Sequence, residues 1–66
     1  MKLKINSEIR EVPEAETILD VLKQMGYEGQ PVAVALNGDF VARSAYAQTD
    51  LSENDELEIV APIVGG

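Results

Sequence analysis

The chain has 66 residues, twelve acidic against five basic side chains, a net charge of −7, and neither cysteine nor histidine. That length holds one small domain, and the missing cysteines exclude disulfides and cysteine-based zinc or iron–sulfur ligation. The absent histidines remove the commonest general base and metal ligand, and the negative sign repels phosphate backbones, so composition points away from a freestanding enzyme or nucleic-acid binder and toward an acidic partner protein.

Met1-Lys2-Leu3-Lys4-Ile5 alternates charged and apolar side chains. It lacks the continuous apolar stretch of a signal peptide, which predicts a cytoplasmic protein with no membrane partner. The same alternation is strand periodicity, with Leu3 and Ile5 on one face and Lys2 and Lys4 on the other. Asn6-Ser7 is turn-prone, and Glu8 to Val12 reads as a returning strand that Pro13 ends. Ile9 and Val12 have opposite parity, so one of them should face solvent or a partner.

The period then changes to that of a helix. Thr17 is a good N-cap, with Asp20 placed to complete a capping box. Ile18, Val21, Leu22 and Met25 form one apolar stripe, and Gly26 sits where a left-handed C-terminal cap falls. Val32 to Leu36 is apolar on both parities, which predicts an interior strand with both faces at least partly covered. Asn37-Gly38 is the strongest hairpin-turn signal in the chain. Phe40 to Ala42 forms the short return strand, and Arg43 to Leu51 reads as an irregular link with a helical turn near Ser44 to Tyr46. After an Asn54-Asp55 turn, Glu56 to Val60 alternates cleanly, aiming Leu57 and Ile59 at the core. Pro62 should stop the ladder and leave Ile63, Val64, Gly65 and Gly66 as a tail.

Hairpin, helix, hairpin, link and final strand make an α+β chain of the β-grasp, or ubiquitin-like, type. It should have a mixed sheet of four to five strands, one main helix packed on one face, and a flexible C-terminal Gly-Gly tail. In that fold the last strand lies beside the first, with Leu57 and Ile59 next to Leu3 and Ile5. One domain is expected over residues 1–66, with 62–66 as its extended arm.

Conventional catalytic constellations fail. Ser7, Ser44 and Ser52 have no histidine to activate them. The acidic run of Asp50, Glu53, Asp55, Glu56 and Glu58 lacks the spacing of a calcium loop and reads as solvated surface, so no metal is expected. No glycine loop is built to cradle phosphate. The tail remains. A carboxylate at Gly66 is inert to acyl transfer until its oxygen becomes a leaving group, for example as a mixed anhydride with AMP. Residues without Cβ can thread a narrow channel, and five residues from Pro62 extend roughly 17 Å. Pro62 limits the entropy lost on docking, while Ile63 and Val64 suit apolar slots in a partner.

The segments MKLKINSEIREVPEAETILDVL, VAVALNGDFVARSAY and NDELEIVAPIVGG occur in this order along the chain. In this order they resemble the ThiS family, the sulfur carriers of thiamine biosynthesis, within the ubiquitin-like ThiS/MoaD group. The resemblance implies a carrier that is not itself an enzyme and is a monomer when free. It implies that an E1-like adenylating enzyme (ThiF) spends ATP on the Gly66 carboxylate, while the carrier binds no cofactor. Sulfur from a cysteine-derived donor then yields a thiocarboxylate, which thiazole synthase (ThiG) consumes. Gly66 would be the reactive residue, with Gly65, Val64, Ile63 and Pro62 threading the partner's site. Val60 and Arg43 are candidates for the partner surface. A molybdopterin-synthase small subunit, whose tails share the glycines and often carry proline, is the alternative, followed by a ubiquitin-like modifier or interaction domain.

Overall fold

A computed structural model describes residues 1–61. Strands β1 (Lys2–Ile5) and β2 (Glu8–Glu11) form the first hairpin, joined through Asn6 and Ser7, both at positive φ (51° and 72°). Helix α1 (Ile18–Gln24) follows, then β3 (Ala33–Leu36), β4 (Asp39–Val41), a single 3-10 turn over Arg43–Ala45, and β5 (Glu56–Val60). The five strands form one sheet in the order β2-β1-β5-β3-β4. β5 runs parallel to β1 and antiparallel to β3, so the sheet is mixed, as the β-grasp pattern requires.

The helix begins where its capping chemistry is satisfied. The Asp20 amide donates to the Thr17 hydroxyl at 3.3 Å, and the Thr17 amide donates back to the Asp20 carboxylate at 3.0 Å. Aspartate therefore closes this box despite its shorter side chain. At the other end Gly26 takes φ +84°, the left-handed conformation that lets the chain leave the helix. Ile18, Val21 and Leu22 are buried, and Met25 packs at the margin. Their counterparts on the sheet are Leu3, Ile5, Val34, Leu57 and Ile59, all buried. Of the two residues of opposite parity between Glu8 and Val12, Val12, just past β2, joins the core and Ile9 stays 72% exposed.

Two details sharpen the expectation. Ile5, not Leu3, lies opposite Leu57, so Ile59 extends past the end of β1. There the Asn6 side chain replaces the missing strand. Its Nδ2 donates to the Ile59 carbonyl at 3.1 Å, and its Oδ1 accepts from the Ile59 amide at 2.8 Å. In addition, β3 is interior with its outer face covered only in part. Val34 is buried, while Ala33 is exposed and Ala35 half-buried. Alanine is small enough to stand on a solvated face at little cost, so apolar character on both parities did not mean two fully covered faces.

The irregular link contributes to the core. Leu51 and Tyr46 are buried, and the Tyr46 hydroxyl donates to the Val32 carbonyl at 2.9 Å. The amides of Ile18, Leu19 and Leu51 donate to Thr49, Tyr46 and Glu16 carbonyls, stitching the link along the start of the helix.

Candidate functional site

β5 determines where the tail starts. Val60 lies opposite Ala33 in the antiparallel ladder, so Ala61 leaves the sheet beside the run-up to β3, near Pro31 and Val32. Pro62, Ile63, Val64, Gly65 and Gly66, the expected reactive arm, lie outside the described residues. Two surfaces flank the root from which they depart.

The first is the sheet face away from the helix. Residues directly opposite one another share a face, so Val60 stands with Ala33, and Glu58 with Ala35 and Phe40. Val60 is 65% exposed and Phe40 74%, with the small Ala33 and Ala35 side chains between them among the described residues. Toward the first hairpin the face becomes charged, with Lys4 Nζ 3.5 Å from the Glu56 carboxylate. Val60 was foreseeable from parity, and Phe40 was too, since Val41 next to it is the residue turned inward.

The second surface is an open cleft of about 320 Å³ between the segment after the helix and the 3-10 turn. Leu19, Leu22, Tyr27, Pro31 and Tyr46 give it apolar walls, while Arg43 and Ser44 lie on its rim. Arg43 and Val60 therefore belong to different surfaces. The tyrosines of the cleft carried no periodic signal, because both lie in irregular segments.

The acidic run also has structural roles. The Asp55 carboxylate accepts from the Ser52 amide at 2.8 Å and from Asn37 Nδ2 at 3.1 Å, and Glu53 accepts from the Lys2 amide at 3.0 Å. Among the described residues no group of three or more acidic side chains is placed to hold a metal ion. No helix among them is long and apolar enough to cross a membrane. The Asp20 carboxyl is held below its ordinary 3.8, chiefly by the Glu16 backbone amide and then that of Thr17. It serves the helix cap.

Residues 3–66 match the model of the ThiS family, which covers nearly the whole chain and both flanks of the tail root. The chain belongs to the ThiS family. A crystal structure of the thiamine biosynthesis protein ThiS from Geobacter metallireducens superposes with a TM-score of 0.81 at 28% identity, covering all of both chains. The described residues thus share the ThiS-type β-grasp fold. Two thiazole synthases also resemble the chain over all 66 residues. They come from Paramagnetospirillum magneticum (42% identical) and Magnetococcus marinus (33% identical). The chain spans only 20% of the length of each of these curated relatives.

Proposed function

We propose that this chain is a sulfur carrier for thiazole formation, with the Gly66 carboxylate as the group that carries sulfur. The observation that supports this reading most is the ThiS family match, which runs through Gly65 and Gly66. The thiazole synthases that contain a segment similar to the entire chain support the destination of the sulfur.

In a chain ending at Gly66, a carboxylate oxygen attacks the α-phosphorus of ATP on an adenylating enzyme and expels pyrophosphate. Hydrosulfide released from a cysteine-derived donor attacks the resulting acyl carbon, gives up its proton and expels AMP, leaving a thiocarboxylate. Thiazole synthase then takes that sulfur. The carrier supplies the carboxylate and the docking surfaces, and its partners perform the catalysis. The absence of Cβ at Gly65 and Gly66 lets the arm pass through a narrow channel, and the Val60–Phe40 patch beside its root gives the partner an apolar footing.

Intact-mass measurement tests this reading. Incubation with the adenylating enzyme, ATP and a sulfur source is expected to exchange one oxygen for sulfur within the C-terminal peptide. One residue added after Gly66 should abolish the exchange, because misplacement of about 1 Å can already cost a hundredfold in rate. Wild-type loading of the extended chain would rule out Gly66 as the acceptor.

A further inference from the structure

We propose that the cleft bordered by Arg43 and Ser44 is a docking site for thiazole synthase, taking an apolar side chain of the enzyme that stands next to a carboxylate. The proposal rests on the sulfur-carrier reading and adds to it a recognition site distinct from the tail.

Continuity with the tail root is the first argument. The register that pairs Val60 with Ala33 brings Ala61 alongside the approach to β3, and Pro31 in that approach forms a wall of the cleft. An enzyme that draws in residues 62–66 must close over this end of the molecule, so the cleft lies within its footprint.

Charge supplies the second argument. Arg43 is exposed, and among the described residues its guanidinium has no ion-pair partner. Glu28, also on the cleft, lies 3.6 Å from Lys23 Nζ and is occupied there. A lone cation on an apolar cleft in a chain of net charge −7 selects a carboxylate beside an apolar anchor. An acidic group elsewhere on the enzyme would meet repulsion, so this contact fixes orientation as well as adding affinity. The volume, about 320 Å³, is ample for a bulky side chain, given that a water molecule takes about 30 Å³. Thiazole synthase is the chosen occupant because two such enzymes carry a segment like this one within their own chain.

Titration calorimetry of the 66-residue chain against thiazole synthase tests the assignment. Arg43→Glu and Ser44→Trp, both at exposed positions, should each weaken binding by about tenfold or more, as loss of a central anchor does. Lys2→Glu makes the same charge change at the start of β1, the end of the sheet opposite the tail root, and should shift affinity less than about threefold. Circular dichroism confirms that each variant is folded. If the wild-type chain binds and both cleft variants bind equally well, the cleft is not the docking site and the carrier reading stands. If the wild-type chain does not bind, both fall.

Discussion

Tyr46 lies buried up to its hydroxyl, which donates to the carbonyl of Val32 two residues before the first inward contact of β3. Replacing Tyr46 with phenylalanine keeps the ring and orphans that carbonyl. Leaving a buried acceptor unsatisfied costs about 1–3 kcal/mol. Urea denaturation of Tyr46→Phe should show a loss in that range with an unchanged slope, since the exposed surface is nearly the same. Asp20 acts through its charge. Backbone amides of Glu16 and Thr17 donate to its carboxylate at 2.9 and 3.0 Å and hold its pKa below the ordinary 3.8. A carboxyl with a folded pKa below its unfolded value stabilises the fold above the unfolded value. That contribution disappears as the pH falls through the folded value. Asp20→Ala should therefore melt below wild type at neutral pH, and the gap should narrow once the pH drops below about 4. Parallel melts across the acid range check the sign.

The helix and the two hairpins were the most legible parts of the chain because each is written locally. The stripe of Ile18, Val21 and Leu22 repeats within two turns and needs no knowledge of what it packs against. Leu22→Ala should cost about 2–5 kcal/mol in a chemical-denaturation experiment, since it empties the middle of that stripe. Asn37-Gly38 was equally plain. Gly38 takes φ +88° with open space around it, so its role is purely conformational. Asn37 also shares the left-handed geometry, but its side chain has a tertiary task. Its Oδ1 accepts from the Glu56 amide at 2.9 Å, tying the turn to the start of β5. Val12, Ala15, Tyr46 and Leu51 were harder to assign to the core. Ala15, Tyr46 and Leu51 lie in segments with no period, while the parity of the second strand left Val12 and Ile9 as alternatives. Register was likewise beyond local information. Leu57 could have met Leu3 or Ile5 with the same face buried, and the structure pairs it with Ile5. The chemistry proposed for residues 62–66 rests on two glycines and the family match, whereas the cleft depended on two irregular segments meeting in space.

Seen as one body, the described domain ends on its central strand. β5 has β1 bonded along one edge and β3 along the other, and β1 starts at the end opposite the one where Ala61 leaves. This arrangement has a mechanical consequence. Tension applied between the first strand and the arm acts along the strand axis, across the inter-strand rungs. The rungs between β1 and β5 are then loaded in shear together, and the side-chain rungs from Asn6 to Ile59 sit nearest the point of traction. Force applied between Ile9 and Phe40, at opposite margins of the sheet, would instead peel the edge strands one rung at a time. Single-molecule extension between residues 2 and 61 should thus require a distinctly higher rupture force than extension between residues 9 and 40. Equal forces in the two directions would show that the central strand does not act as a clamp. With the clamp in place, traction at Ala61 meets a strand held inside the sheet and not one at its edge.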